Sequence, residues 1–230
     1  MTRIVKRVFV PYFAFKDREE AARELAAVAV AGKDPGAIVL AVPRGGAQIG
    51  ARLAEALGCP LALAMVRKLP IPNSPEAGFG AVAVDGTMVL NERLVKELRL
   101  PGPLIERIRD EVLDEVRRRA GIYRECAEPA AIAGRRVVLA DDGLASGYTM
   151  VAAARMARRA GAEEIVLCVP VSPLDSIELL EPRVDDVYCL IAQESPPFAV
   201  AAYYRRFPDL TDAEVREILQ RARGEPAPKR

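Results

Sequence analysis

The sequence predicts an α/β domain in which a mostly parallel β-sheet is flanked by helices. Short apolar runs at 37–42, 136–140 and 165–169 have the composition of strands buried on both faces. Helical segments lie between them, and the order strand, short loop, helix, strand is that of a βαβ unit. A chain of 230 residues is long enough to bury a sizeable core.

The elements of the first part of the chain follow from capping residues and apolar runs. Asp17 and Glu20 have capping-box spacing, and Gly58 is suited to end a helix. In chain order we expect an edge strand or lid segment at 3–13, a helix from the Asp17 cap to about Ala31, a strand at 37–42, a helix at 46–57 and a strand at 61–66.

The remaining elements are marked by turn residues. Residues 68–80 are rich in Pro and Gly and predict a loop, and Asp85-Gly86 predicts a hairpin within 81–90. The later elements are expected to be helices after Asn91 and from Pro103 to Ala120, a strand at 136–140, a helix at 148–160, a strand at 165–169, a helix at 174–180, a strand at 187–192 and helical structure at 198–222. We predict one domain over 1–223 and a disordered tail at 224–230.

Composition excludes several classes of function. Lys and Arg total 33 against 32 acidic residues, so no charge excess favours nucleic acid, and the basic run 117–119 lies among acidic residues of a helix. There is no signal-peptide pattern and no apolar run that could span a bilayer, which predicts a cytoplasmic protein without a membrane partner. The four cysteines are far apart and are expected to be buried thiols.

The absence of histidine removes His general bases and His-ligated zinc. Any catalysis must then use carboxylates, Lys, Arg, Tyr, backbone dipoles or a bound metal.

Residues 137–150 carry the most information about function. An apolar run leads to Asp141 and Asp142, and a loop with Ser146 and Thr149 then opens a helix. Open α/β sheets bind ligands at the carboxyl ends of their strands, and a helix N-terminus binds phosphate. Two acids beside a phosphate cradle suit a ligand with hydroxyls and a phosphate, such as a sugar phosphate.

This stretch resembles the phosphoribosyl diphosphate (PRPP) motif of the type I phosphoribosyltransferase family. Four apolar residues at 137–140 precede the two acids, as in the family. The resemblance implies that Asp141 and Asp142 are catalytic residues that hold the ribose hydroxyls and take part in binding a metal, directly or through water. It also implies a loop for the 5'-phosphate, formed by Gly143, Leu144, Ala145, Ser146, Gly147, Tyr148 and Thr149. Tyr148 stands where a small residue is usual, and either crowds the loop or points outward.

Two further segments are assigned by the same resemblance. Arg44, Gly45 and Gly46 follow an apolar run and resemble the loop that binds the pyrophosphate of PRPP, with Arg44 as a catalytic residue; a plain tight turn is the alternative. Lys68 begins the segment that corresponds to the family's mobile loop, and is a candidate catalytic residue or a charged strand end. For the acceptor, Phe198 or Tyr188 could stack on a base or simply pack in the fold.

The resemblance implies a five-stranded, mostly parallel sheet with an inserted hairpin and a small hood. It implies transfer of phosphoribosyl from PRPP to a small-molecule nucleophile with Mg²⁺ as cofactor, and a homodimer is compatible with it. A non-catalytic regulator that senses PRPP or nucleotides with the same fold is the second hypothesis, and another α/β phosphosugar enzyme is the third. The acceptor and the oligomeric state stay open.

Overall fold

The computed structural model describes residues 1–9, 12–124 and 131–224. Within these ranges the strands are β1 (Thr2–Val8), β2 (Ile38–Ala41), β3 (Leu61–Leu63), β4 (Val66–Ile71), β5 (Ser74–Ala83), β6 (Met88–Leu90), β7 (Arg136–Ala140), β8 (Glu164–Pro173) and β9 (Asp186–Gln193). The helices are α1 (Arg18–Ala29), α2 (Gly46–Leu57), α3 (Glu92–Glu97), α4 (Gly102–Tyr123), α5 (Tyr148–Arg159), α6 (Leu174–Leu180) and α7 (Asp212–Ala222). Residues 225–230 of the predicted tail lie outside the described residues, and so does Cys126.

The main sheet has six parallel strands in the order β1-β9-β8-β7-β2-β3. This confirms the predicted mostly parallel α/β fold, with one strand more than the five expected. The additional strand is β1, which pairs with β9 at the edge of the sheet, so the edge-strand alternative for 3–13 is confirmed as far as Val8. Every residue of β1 is exposed or half-buried, and its sequence lacks the continuous apolar run that marks the central strands.

Helices cover both faces of this sheet. On one face the core contains side chains of α1 and α2 packed on the central strands, and on the other α5 and α6 do the same. The α1 helix begins where the sequence predicts, because the Asp17 carboxylate accepts the N–H of Glu20 at 3.2 Å. This arrangement leaves the carboxyl ends of the central strands to the loops that follow them.

A second sheet contains β4, β5 and β6 in antiparallel order. Its β5–β6 hairpin turns at Asp85-Gly86, as predicted, and Gly86 has a φ of 86°. The prediction of a loop at 68–80 is wrong, because β4 and β5 occupy most of it. Pro70 is tolerated because β4 is an edge strand and its register with β5 shifts at that residue.

The predicted helical stretch at 198–222 is also only partly helical. A single 3₁₀ turn spans 200–203 and α7 begins at Asp212, with Thr211 and Glu214 forming a capping box. Between these elements the chain is not helical; it passes Pro208, which lacks the N–H that a helix interior needs. None of the helices that the structure describes is both long enough and apolar enough to cross a membrane.

The start of α7 is joined to the end of α4 by Asp212. The Tyr123 hydroxyl donates to Asp212 Oδ1 at 2.6 Å, and Arg119 lies 3.5 Å from the same oxygen. The hydrogen bond from Tyr123 lowers the pKa of Asp212 against the opposing effect of burial, and the charges of Arg119 and Arg44 act in the same direction as Tyr123. The ionised form of Asp212 is therefore favoured in the folded state.

Asp212→Asn is expected to lower the free energy of unfolding at pH 7 by about 1 kcal/mol, because a charge-assisted hydrogen bond is weakened at a partly exposed site. A carboxyl whose folded pKa is lowered stabilises above its unfolded pKa of about 3.9 and loses that contribution as the pH falls through the folded value. Urea unfolding should then show the difference from wild type shrinking below about pH 4. Glu97→Gln, which removes an exposed pair with Arg93, serves as the control. An Asp212 deficit that persists unchanged at pH 3 would contradict the assignment.

Candidate functional site

Two loops meet at the carboxyl edge of the main sheet. The strands β2 and β7 are neighbours, with Ala41 in register with Ala140. The Val42 N–H donates to the Ala140 carbonyl at 2.9 Å, so the loop that follows β2 starts against the end of β7. The segment 43–46 and the acid pair that follows β7 are therefore adjacent in the structure, as expected for the ends of parallel strands.

The acid pair is largely withdrawn from solvent. Asp141 Oδ1 accepts the backbone N–H of Asp142 at 2.9 Å. Burial raises the pKa of both carboxyls, and repulsion from Asp142 raises that of Asp141 further. The Arg18 guanidinium opposes this rise at Asp142, so Asp142 is the acid that ionises first.

The glycines of the 43–46 loop allow its close approach to the acids. A Cβ atom at Gly45 would lie 2.5 Å from Cγ of Asp142, and one at Gly46 would lie 2.7 Å from the Ala140 carbonyl oxygen. Both distances are too short for a side chain. The sequence suggests that these glycines bring the backbone close to a ligand; in the structure their immediate neighbours are Asp142 and the end of β7.

The loop at 143–149 has free donors at its helical end. Gly147 adopts a left-handed conformation with a φ of 76° and begins α5, which has no side-chain cap. The N–H groups of residues 145–149 donate to no acceptor in the described part of the chain. Ser146 and Thr149 belong to this row of residues, and their side chains are exposed and half-buried, respectively. A phosphate group suits such a helix start.

The first half of the same loop is held by the protein itself. The Leu144 N–H donates to the Val171 carbonyl at 3.0 Å, and the Ala145 carbonyl accepts the Ser176 hydroxyl at 2.6 Å. Gly143 lies against Val200, where a Cβ atom would come within 2.6 Å of the valine side chain. Tyr148 is the first residue of α5 and packs against the hydrophobic core, so its side chain does not point outward.

Arg44 is half-buried in the loop that follows β2, and the Pro43–Arg44 peptide bond is cis. The hydrogen bond from Tyr123 and the charge of Arg44 both lower the pKa of Asp212. The Arg44 guanidinium is therefore within electrostatic reach of the α7 N-terminus. No ion pair of Arg44 occurs among the described residues, so its guanidinium is available to an anion.

Comparison with known proteins gives the family. A family model described as the phosphoribosyl transferase domain matches residues 13–204, which is more than half of the chain. The chain belongs to the phosphoribosyl transferase family. Two Mycobacterium tuberculosis proteins, from strains CDC 1551 and H37Rv, are named provisionally as phosphoribosyl transferases; each is 38% identical to it over 208 residues.

Those matches cover 90% of this chain but 47% of each Mycobacterium protein, so the chain spans about half the length of these curated relatives. The crystal structure of the protein TT1426 from Thermus thermophilus is similar over almost its whole length. It is 36% identical, with a TM-score of 0.74 over 90% of this chain and 98% of that one.

Arg18 is the residue of this candidate site that sequence reasoning missed. It is the first residue of α1, and its Nε donates to Asp142 Oδ2 at 2.6 Å across 124 residues of sequence. Only 6% of its side chain is exposed. The capping pattern at Asp17 marks Arg18 as a residue of a helical first turn, and nothing in that pattern indicates burial.

Lys68 lies on β4, and its Nζ donates to the Glu76 carbonyl on β5. The neighbouring Arg67 pairs with Glu115 at 2.9 Å. Lys68 thus lies within the first strand of the β4–β5 hairpin, and its catalytic role stays a prediction.

The two candidate stacking residues differ in their surroundings. Tyr188 is 7% exposed in the core beneath the α1 layer, with the Arg3 guanidinium 5.5 Å from its ring centre. This burial favours the alternative that the ring packs in the fold, and a stacking role for Tyr188 stays a prediction. Phe198 is half-buried, and its ring centre lies 5.7 Å from that of Tyr203. It lies two residues before Val200, which is next to Gly143 in the 143–149 loop. Phe198 stays a candidate.

The described residues contain no group of three or more acidic or thiol side chains that could hold a metal. Asp141 and Asp142 provide two carboxylates, of which Asp142 already uses one oxygen for Arg18. Mg²⁺ commonly binds through one or two carboxylates and completes its shell with water and substrate phosphates. The donor set fits a Mg²⁺ ion that arrives with a diphosphate.

Proposed function

We propose that the chain transfers the phosphoribosyl group of PRPP to a small-molecule nucleophile, such as a base nitrogen, and releases pyrophosphate. The observation that carries the proposal is that the Asp141–Asp142 pair lies next to two loops. The 43–46 loop bears a guanidinium that has no ion pair among the described residues, and the 143–149 loop bears a row of free N–H donors. Together they match the three parts of PRPP, namely the diphosphate, the ribose diol and the 5'-phosphate.

The residues divide this task by charge. The carboxylates of Asp141 and Asp142 would accept hydrogen bonds from the ribose hydroxyls and stabilise positive charge that develops on the ribose ring. The N–H groups of 145–149 and the Ser146 and Thr149 hydroxyls would hold the 5'-phosphate. Arg44 and the N–H group of Gly45 would stabilise the charge that builds on the departing pyrophosphate. The Gly46 N–H already donates to the Val42 carbonyl at 3.0 Å, so the part of Gly46 is to let the loop approach closely. Mg²⁺ bound with the substrate would supply further neutralisation of the diphosphate.

The test is calorimetric titration of PRPP with and without Mg²⁺, followed by Asp141→Asn. We expect wild type to bind PRPP with Mg²⁺ and Asp141→Asn to bind it at least about tenfold more weakly, because a hydrogen bond to a charged group contributes roughly 1.5 to 3 kcal/mol. The variant should fold normally, since Asn removes a repulsive buried carboxyl and keeps its shape. Asp141 is the cleaner position because Asp142 also pairs with Arg18.

Arg52→Gln, which alters an exposed ion pair on α2, is the matched surface control and should keep PRPP affinity. Absence of PRPP binding by the wild-type protein would overturn the proposal. Binding of PRPP without release of pyrophosphate in the presence of any of a panel of bases and other nucleophiles would favour the non-catalytic sensor instead.

A further inference from the structure

The environment of Arg18 is unusual for an arginine. The side chain is 6% exposed, and a buried guanidinium is retained only where its charge and donors are paired. Its Nε donates to Asp142 Oδ2 at 2.6 Å, one of its terminal nitrogens donates to the Pro208 carbonyl at 2.7 Å, and its Cζ lies 3.7 Å from the centre of the Phe207 ring. Two segments that are distant in sequence, at 142 and at 207–208, therefore fix one guanidinium.

Asp142 is held on several sides by the same cluster. Its Oδ2 atom faces both Arg18 and the backbone of Gly45. Its carbonyl oxygen accepts the Tyr204 hydroxyl at 2.7 Å, and its N–H donates to Asp141. Arg18 contacts only the Oδ2 atom of this carboxylate, and Oδ1 lies outside the pair. Rotation of the carboxylate would move Oδ2 away from Arg18 and break the contact.

We propose that Arg18 is a positioning residue that orients the Asp142 carboxylate for the ribose diol of PRPP. The inference rests on the proposed function and adds a residue outside the segments that the motifs mark. Because Arg18 also donates to Pro208 and stacks on Phe207, its side chain ties these two residues to the ribose-binding acid. A carboxylate held in one orientation binds two hydroxyls at a smaller entropic cost than a free one.

A double-mutant cycle on Arg18 and Asp142 tests this. PRPP affinity with Mg²⁺ is measured by calorimetry for wild type, Arg18→Gln, Asp142→Asn and the double variant. We expect Arg18→Gln to weaken binding about tenfold or more, since the loss of orientation affects a charged hydrogen bond. In the Asp142→Asn background the same change should alter affinity less than about twofold, because the group through which Arg18 acts is already altered.

Two further variants separate orientation from folding. Arg18→Lys keeps the charge but not the planar fork, and should recover part of the lost affinity. Arg206→Gln is the control: it breaks the 2.6 Å pair between Arg206 and Asp17, the residue that precedes Arg18. Because the Arg206 side chain is 64% exposed, this change should leave PRPP affinity unchanged. Urea unfolding establishes that each variant is folded at the temperature of the titration. If Arg18→Gln is unfolded, the cycle is run with Arg18→Lys.

The outcomes separate the two proposals. Equal losses of affinity from the Arg18 change in both backgrounds would show that Arg18 acts on the fold and would overturn the inference while the proposed function stands. Wild-type affinity in Arg18→Gln would overturn it in the same way. Failure of the wild-type protein to bind PRPP would overturn the proposed function and this inference with it.

Discussion

Gly45→Ala is expected to lower kcat/KM for PRPP by about 100-fold or more, which is the scale of misplacing a group near the reacting centre by about 1 Å. The new Cβ atom would lie 2.5 Å from Cγ of Asp142 and closer still to its Oδ2. Either the loop retreats from β7 or the carboxylate leaves Arg18, so the ribose and pyrophosphate subsites are disturbed together. Overpacking of this kind also destabilises the fold by about 1 to 3 kcal/mol.

The assay for Gly45→Ala is steady-state turnover of PRPP, with thermal unfolding followed separately. Gly121→Ala is a matched control, because Gly121 lies in α4 and a Cβ atom there meets nothing within 4 Å. The control should keep wild-type turnover and gain up to about 1 kcal/mol in stability from its better helix propensity. Wild-type turnover in Gly45→Ala would show that the contact between this loop and Asp142 is not required.

Arg44→Ala is expected to lower kcat/KM for PRPP by on the order of 100-fold, because the proposed function gives Arg44 a preorganised contact to the departing pyrophosphate, which the change removes. Its melting temperature should change by only a few degrees, since replacements of partly exposed residues outside the core usually stay within about 0.5 kcal/mol. Arg44 makes no ion pair with a described residue, although its charge contributes to the low pKa of Asp212. The small loss of stability should therefore come from that electrostatic effect.

Arg44→Lys should recover part of the activity, because Lys keeps the charge but cannot make a bidentate contact. Arg52→Ala, on the neighbouring helix α2 and paired with Glu55 at 2.6 Å, is the control for loss of a surface guanidinium. A variant at Arg44 that melts far earlier than wild type but turns over PRPP normally would make Arg44 a structural residue and the 43–46 loop a plain turn.

The strand that leads to the acids could be predicted from sequence because its information is local. The apolar run predicts β7 at 136–140, and the structure has Arg136–Ala140. The α6 boundaries at 174–180 agree as well. A buried parallel strand needs a continuous apolar run, and a helix start needs a cap or a glycine. Both signals consist of residues that are close together in sequence, so both can be recognised without the tertiary structure.

Sequence reasoning is weakest where neighbouring residues carry conflicting signals. Pro and Gly at 68–80 are turn residues by composition, yet Leu69 and Phe79 are fully buried and their packing in the second sheet decides the conformation. Tyr188 has the side chain of a stacking residue, but on β9 it packs among core residues, a placement that its neighbours in sequence do not indicate. In both cases tertiary packing outweighs local preference.

The sequence by itself determined the parallel α/β architecture, the acid pair at a strand end and the glycine-rich loop that begins α5, because each depends on residues within a few positions of one another. Tertiary structure alone decided that Arg18 pairs with Asp142 and that Gly45 packs against the same carboxylate. These contacts join residues that lie far apart along the chain. Their cause is physical: a buried carboxylate must find a partner, and the partner is whichever cation the packed elements bring within hydrogen-bond distance.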